Sequence, residues 1–407
     1  MDRVILHCDC NSFFASVETA LDPSLLDVPM AVCGSVEARH GIILAKNELA
    51  KKYGIKTAQT VASAKRACPG LVLVAPHYDK YVEYSRAVNA IYSDYTDKIE
   101  SFGIDESWLD VTASLRLFGS GVKIADEIRR RVSEEVGITV SVGVSFNKVF
   151  AKLGSDYKKP NATTVIDRSN FESLVFPLPV SDLLFVGKRT LEELMMIGVR
   201  TIKDLAHAPD SLIARKFGKS GEMLLKYARG EDDDPVVPLR DDSKSIGNGF
   251  TFKRDLTSED QILSGVSFLS EEIARRLRDA GVLASTLSVS LKDENLSLHN
   301  KQKPLDLPTD IAKELSLTAM QIIRMIWSAG KPIRAITLTA TNLVSSSNST
   351  LQLDMFGDVD TVDRDRTRRG ERAVDEIRRR FGSSAIVRGS NVGSDIGLYD
   401  PKTSKNH

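Results

Sequence analysis

Three acidic residues far apart in the chain, Asp9, Asp105 and Glu106, have the types and settings that metal-assisted phosphoryl chemistry requires. Asp9 closes an apolar run, Val4-Ile5-Leu6-His7-Cys8, that reads as a buried strand. Asp105 and Glu106 stand between Phe102-Gly103-Ile104 and Trp108-Leu109, where two further strands of the same sheet are expected to meet. Pairing those strands gathers the three carboxylates into one cluster. Like charges a few ångströms apart raise one another's pKa and cost stability, so such a cluster is tolerable mainly when a divalent cation neutralises it. Oxygen ligands of this kind favour Mg²⁺, which takes its remaining ligands from waters and substrate phosphates. Two such ions about 4 Å apart would hold a hydroxyl and a triphosphate for in-line displacement. Asp9, Asp105 and the Cys10 carbonyl would hold the triphosphate-side ion; Asp105, Asp9 and Glu106 would share the catalytic one. An Asp-Glu pair in a turn is more often solvated surface, but the apolar flanks place this one at a sheet end.

The elements that must position these groups follow from periodicity. Residues 3–9 read as a strand, Phe13 to Leu21 as a helix, Lys98 to Ile104 and Trp108 to Thr112 as two strands, residues 122–136 as a helix and Thr139 to Val144 as a last strand. The order β-α-β-β-α-β is that of a split βαβ, ferredoxin-like sheet with helices on one face, and the class is α+β. Residues 30–75 interrupt it as a small lobe with a helix over Glu48 to Tyr53. Residues 170–235 read as mostly helical, with Leu191, Leu194 and Met195 on one apolar face. The run Glu231-Asp232-Asp233-Asp234-Pro235 ends that region and reads as a solvated linker. The same six-element order recurs over 244–342: strands at Ser245–Lys253, Thr286–Lys292, Asn295–Asn300 and Ile333–Thr341, helices at Gln261–Ala280 and Ile311–Trp327. Ser345 to Ser349 reads as a tether, followed by a short basic helix over Arg364 to Phe381 and a Gly/Ser-rich end.

Composition narrows the class. The chain has 407 residues, 42% hydrophobic, with no apolar run long enough to span a membrane, which predicts a soluble protein of three or four folded units. The N-terminus reaches Asp9 without a secretory leader, so a cytoplasmic protein is expected. Its 55 basic and 55 acidic residues balance, so bulk charge neither announces nor excludes a nucleic-acid partner. Four cysteines, Cys8, Cys10, Cys33 and Cys68, are too few for a disulfide framework. Cys8-x-Cys10 lacks a second pair at zinc spacing.

His7-Cys8-Asp9-Cys10-Asn11-Ser12-Phe13-Phe14-Ala15-Ser16-Val17-Glu18 resembles the opening motif of the Y-family DNA polymerases, the DNA polymerase IV type. Ser101 to Asp110 resembles their second carboxylate motif, and Ser141 to Lys148, continuing through Ala151-Lys152 to Lys159-Pro160, the third. The likeness runs in order over residues 1–345. It implies a palm (1–30 and 76–168), small fingers (31–75), a helical thumb (169–235), a linker (236–243), a little finger (244–344) and a flexible tail (345–407). It further implies an error-prone translesion enzyme in DNA repair that adds dNTPs to a primer on a template with two Mg²⁺ ions. Phe14 matches the steric gate against a ribose 2′-hydroxyl; Phe13, Phe14, Lys51 and Lys159 match positions around the nucleotide, although a core role suits Phe13. Two departures stand out. Asn11 replaces the usual second aspartate of the opening motif. In Lys46-Asn47-Glu48-Leu49-Ala50-Lys51, Glu48 stands where a tyrosine and Lys51 where an arginine are usual, which puts nucleotide affinity in question.

The resemblance also suggests partners. Leu184 to Thr190 is similar to a helix-hairpin-helix turn, with Gly187 and Lys188 offered to a DNA phosphate, or else an ordinary helix turn. Lys244, Lys253 and Arg254 would track phosphates, unless they belong to a salt-bridged surface. Gln352-Leu353-Asp354-Met355-Phe356 resembles the peptide by which bacterial polymerases dock on the β-type sliding clamp, with Gln352, Leu353, Met355 and Phe356 as contacts; a segment packed on the body is the other reading. A monomer is expected. Two other functions compete: a clamp-docked DNA-binding scaffold with weak or lost catalysis, and a nucleotide cyclase, which needs none of the thumb, little finger or clamp peptide.

Overall fold

The computed structural model describes residues 2–34, 41–238, 244–346, 361–382, 385–387, 389 and 395–398. They form two compact units, residues 1–33 with 43–239 and residues 34–42 with 240–407.

In the first unit β1 (Ile5–Cys10) leads into α1 (Phe13–Leu21). A small lobe follows: β2 (Met30–Cys33), β3 (Ile43–Lys46), α2 (Glu48–Lys52), α3 (Val61–Ala67) and β4 (Val72–Val74), its sheet ordered β3-β2-β4. Asn47 and Thr60 start the two helices by accepting from the backbone N–H of Ala50 and Ser63. The chain then returns through α4 (Tyr78–Ser93), β5 (Ile99–Ser101), β6 (Glu106–Asp110), α5 (Leu115–Phe118), α6 (Gly121–Arg131), β7 (Val140–Ser145), α7 (Lys148–Tyr157) and β8 (Thr163–Ile166).

The main sheet is ordered β5-β6-β1-β7-β8. β1 is antiparallel to both of its neighbours, the arrangement of a split βαβ, and β8 extends it parallel to β7. β5 is shorter than expected and β6 begins at Glu106, because Phe102 and Gly103 both donate their N–H groups to the Glu106 carbonyl and close a tight turn. Helices cover both faces rather than one. Leu6, Cys8, Cys10, Val140 and Val142 meet Tyr92 of α4 and Ile124 and Ile128 of α6. The opposite face receives α7, which approaches closely because β7 carries Gly143: a Cβ there would stand 1.8 Å from the Ala151 carbonyl oxygen. A strand covered on both faces calls for a near-continuous apolar run. In β1 the buried polar exception is His7.

Beyond β8 lie α8 (Phe171–Val175), α9 (Lys188–Met196), α10 (Ile202–Ala206) and α11 (Asp210–Ala228). Leu194 is in their core and Leu191 packs on it, but Met195 is turned outward and 50% exposed. The acidic run after α11 is solvated only in part, with Glu231, Asp233 and Asp234 exposed. Asp232 is buried and accepts from the Lys148 N–H, while the carbonyls of Asp232, Asp233 and Asp234 accept from the Arg3 guanidinium.

The second unit contains β9 (Ser245–Leu256), α12 (Glu259–Asp279), β10 (Val282–Asp293), β11 (Leu298–Thr309), α13 (Ala312–Ile326), β12 (Ile333–Ser345) and α14 (Thr361–Phe381). The expected strand at Asn295–Asn300 starts later, at Leu298, because the Asp293 carboxylate takes the N–H groups of Asn295 and Ser297 into a turn. The element order repeats that of the first sheet, but the strand order is β11-β10-β12-β9, so the closing strand rather than the opening one is inserted centrally.

The tail does not hang free throughout. α14 is fastened to this unit by Arg278 with Glu371 (2.5 Å) and Asp375 (2.7 Å), Arg364 with Glu314, and Arg368 with Asp310. Ile396 and Leu398 are buried in the unit's core. The clamp-like peptide, Gln352 to Phe356, lies outside the described residues.

Candidate active site

The register of β1 and β6 sets Asp9 directly opposite Glu106. Side chains of directly paired residues leave on the same face, so both carboxylates face α7. Asp105 precedes β6 in the turn, and its carbonyl accepts the Cys10 N–H at 2.9 Å, which ties that turn to the end of β1. Asp9 and Asp105 line a cleft of about 430 Å³, together with Cys10, Phe14 and Lys159. Glu106 does not line it.

Glu106 is engaged from α7 instead. Lys152 Nζ lies 2.5 Å from its Oε2, and His7 Nε2 lies 3.3 Å away. Lys159, just past α7, places Nζ 2.7 Å from Asp9 Oδ2 and 2.7 Å from Asp156 Oδ1. The three carboxylates are therefore neutralised in part by two lysines, Lys152 on Glu106 and Lys159 on Asp9. Burial, followed by the charges of Asp9 and Glu106, pushes the Asp105 carboxyl above the ordinary aspartate range. Burial also works against ionisation of Glu106, yet the polar groups on it, His7 and Lys152, more than offset this and hold it down at about 2. For Lys159, burial is outweighed by the Asp9 and Asp156 carboxylates, and its pKa is raised. The donor set fits a hard divalent ion: Asp9 and Asp105 open onto the cleft, and Glu106 adjoins Asp9.

Phe13 and Phe14 divide their work at the start of α1. Phe13 is in the core, at 3% exposure, and also borders the cleft. Phe14 stacks on Tyr81, with ring centroids 4.0 Å apart and 10° between planes. The Tyr81 hydroxyl donates to the buried Glu18 carboxylate, which His77 also contacts at 3.0 Å. One wall of the cleft is thus an aromatic ring held from behind by a hydrogen-bonded tyrosine.

The lobe contributes Lys46, Glu48 and Lys51 to the same cleft. Glu48 Oε1 lies 2.5 Å from Lys51 Nζ and accepts from the Ser12 hydroxyl at 3.3 Å, so the unusual glutamate is the partner of the unusual lysine. Burial, then the Lys51 charge, lowers the Lys46 pKa. Asn11 is buried, donates to Ser141 Oγ, and accepts from Thr139 Oγ1 and the Asn161 N–H. Its amide oxygen already has two donors and serves the loop after Lys159 rather than an ion.

Residue patterns did not single out His7, Lys152 or Ser155. The signal lay in one helix face: Lys148, Lys152 and Ser155, at i, i+4 and i+7 of α7, meet Glu100, Glu106 and His7. Burial pushes the Cys8 and Cys10 thiols up, and among the described residues neither belongs to a group of three or more potential metal ligands, so nothing supports a zinc site there.

Of the residues expected to meet DNA, Gly187 caps α9 after Phe185 at a positive φ of 68°, with Lys188 exposed beside it. The element before that turn is a three-residue 3₁₀ turn, Val180–Asp182. Lys244 and Lys253 are exposed. Arg254 is held by Asp395 through two 2.7 Å contacts, and the Lys253 N–H donates to the Ile396 carbonyl. No described helix is long and apolar enough to cross a membrane.

Comparison with known proteins agrees with this geometry. Residues 8–156 match the impB/mucB/samB family, and residues 243–355 match that family's C-terminal domain. A DNA polymerase IV of Acetivibrio thermocellus is 46% identical over 395 residues, covering 96% of this chain and 97% of its own. The DNA polymerase IV of Moorella thermoacetica is 38% identical and covers 98% of each chain. DNA polymerase IV 2 of Bacillus subtilis is 34% identical, covering 96% and 95%. A solved chimeric Y-family DNA polymerase superposes with a TM-score of 0.76 at 24% identity, over 84% of this chain and 99% of that one, which shows a shared fold. Paired acidic strands beside an aromatic-walled cleft, two matched domains and relatives alike over nearly their whole length lead to one assignment: the chain belongs to the Y-family DNA polymerases, of the DNA polymerase IV type.

Proposed function

We propose that the protein extends a primer 3′-end with dNTPs on a DNA template, as an error-prone translesion polymerase. The observation that carries this reading is the pairing of Asp9 with Glu106 on one sheet face, with Asp105 beside them on a cleft walled by Phe14. Two Mg²⁺ ions, when bound, would supply a lowered pKa for the attacking hydroxyl and charge neutralisation for the leaving pyrophosphate. Asp9, Asp105 and the Cys10 carbonyl would hold the nucleotide-side ion; Asp105, Asp9 and Glu106 would hold the catalytic one.

The remaining roles fall to this chain's own side chains. Phe14, fixed by Tyr81, excludes a 2′-hydroxyl; Lys159 and Lys51 take up triphosphate charge after leaving Asp9 and Glu48. The main sheet acts as palm (1–30 and 76–168), the lobe as fingers (31–75), the helices as thumb (169–235) and the second sheet as little finger (244–344), joined by residues 236–243. The α9 turn at Gly187 and Lys188, with Lys244 and Lys253, contacts DNA phosphates; Arg254 does so once released by Asp395. Gln352, Leu353, Met355 and Phe356 dock on a sliding clamp, and the protein works as a cytoplasmic monomer.

Primer extension tests the proposal. Template-dependent extension with dNTPs and Mg²⁺ is expected, and Asp105→Ala or Glu106→Ala should abolish it while leaving the melting curve cooperative. Undiminished extension in both variants would place the chemistry elsewhere.

A further inference from the structure

We propose that Arg129 of α6 is a positioning residue for nucleotide binding: through Asn161 it fixes the turn that carries Lys159 into the cleft. The inference rests on the polymerase reading and extends it to a side chain that does not itself line the cleft.

Lys159 and Pro160 border the cleft, and Asn161 follows them at a φ of 51°. That left-handed conformation is uncommon outside glycine, although asparagine enters it more readily than most residues, and it persists where the surroundings hold it. Asn161 is held from two sides. Its N–H donates to Asn11 Oδ1 at 2.8 Å. Its carbonyl accepts from the Arg129 guanidinium, and its Oδ1 accepts from Arg129 Nε at 3.2 Å and Nη2 at 3.1 Å. The remaining nitrogen, Nη1, donates to Asp126 Oδ1 at 3.2 Å and to Thr163 Oγ1 at 3.3 Å, and the Thr163 hydroxyl donates to the same Asp126 oxygen at 2.6 Å. Between these contacts the Ala162 carbonyl takes the Val142 N–H at 2.8 Å, where β8 begins to pair with β7. One guanidinium thus joins α6 to both ends of the turn, a forked geometry that an ammonium cannot reproduce.

Lys159 needs this support because its own ion partners are Asp9 and Asp156, and it must leave Asp9 to take up triphosphate charge. Once Asp9 is released, the backbone of the turn sets where the ammonium can reach. A displacement of about 1 Å at a binding group can cost on the order of 10²-fold in rate. Without the guanidinium, the carbonyl and side chain of Asn161 lose the donors that keep it in a strained conformation.

The test is single-nucleotide insertion by the full chain on a primed template with Mg²⁺, with the dNTP concentration varied. Arg129→Leu should raise KM for dNTP roughly 10-fold and change kcat less than about 2-fold. Loss of folded protein would lower kcat and leave KM alone, so KM separates positioning from a role in folding. Lys159→Met supplies the reference: adding Arg129→Leu to it should raise KM no further, because the turn then has no ammonium to aim. Arg129→Lys, which keeps the charge but not the fork, should fall between wild type and Arg129→Leu, and it decides the matter if Arg129→Leu does not fold. An unchanged KM in the folded variants, a loss confined to kcat, or increases that multiply in the double variant would overturn the proposal. A wild type that extends no primer is a different failure: it removes the polymerase reading, and this inference with it.

Discussion

Lys159 Nζ lies 2.7 Å from Asp9 Oδ2, so a residue proposed to hold the triphosphate rests on a residue proposed to hold the metal. The lysine is well placed to be handed over, since a cation arriving at Asp9 would release it beside the incoming phosphates.

Replacing Lys159 by methionine should therefore act on substrate more than on chemistry. Loss of a charge-assisted contact of about 1.5–3 kcal/mol corresponds to a KM for dNTP roughly 10- to 100-fold higher. Steady-state kinetics should show kcat falling less than kcat/KM; an unchanged KM would detach Lys159 from the nucleotide.

Neighbouring carboxylates should respond to neutralisation with opposite signs. The Asp105 carboxyl is raised above its unfolded value, so its ionised form weakens the fold at neutral pH and is harmless below about 3.8. Asp105→Asn should raise Tm by roughly 2–4 °C at pH 7 and by nothing at pH 3. Glu106 is held at about 2, below its unfolded value, so its stabilisation is complete above about 4.5 and disappears as pH falls through about 2. Glu106→Gln should lower Tm by roughly the same amount at pH 7, because Lys152 loses its partner. Thermal melts of the two variants would settle the signs, and both should be inactive.

The stacked pair Phe14 and Tyr81 predicts a graded loss of sugar selectivity. Phe14→Ala should cut dNTP-over-rNTP discrimination by roughly 100-fold, and Tyr81→Leu, which removes the ring behind it, by roughly 10-fold. Tyr81→Phe keeps the stack but leaves the buried Glu18 short of a donor, so stability should fall by about 1–3 kcal/mol while selectivity holds. Single-nucleotide insertion ratios would separate the two effects.

In the second unit, Arg278 is buried between Glu371 and Asp375 of α14. Ending the chain at residue 360, or making Arg278→Met, leaves buried charge without its partner and should cost about 3–5 kcal/mol. Calorimetry should show both changes lowering one transition, and combining them should cost less than the sum.

Much of the site could be read from the residues because its positions are set by short-range rules. Asp9 ends an apolar run, Asp105 and Glu106 sit between two apolar segments, and periods of two and 3.6 give the order of elements in both sheets. The partners of those acids could not be read this way. Asp232 in its acidic run looks solvated until Arg3 and the Lys148 N–H are brought to it from more than 80 residues away. α14 looks like a free basic helix until Asp310 and Glu314 are seen to pair with its Arg368 and Arg364, and Arg278 with its Glu371.

By itself the sequence determined which carboxylates gather, because strand ends are local properties of the chain, whereas the ring that walls the cleft was named only by the resemblance of the opening motif. The tertiary structure alone decided what those carboxylates hold in the meantime. The positions of His7, Lys152 and Ser155 depend on how closely α7 lies on the sheet, and that distance is set by the missing side chain of Gly143 acting across the fold.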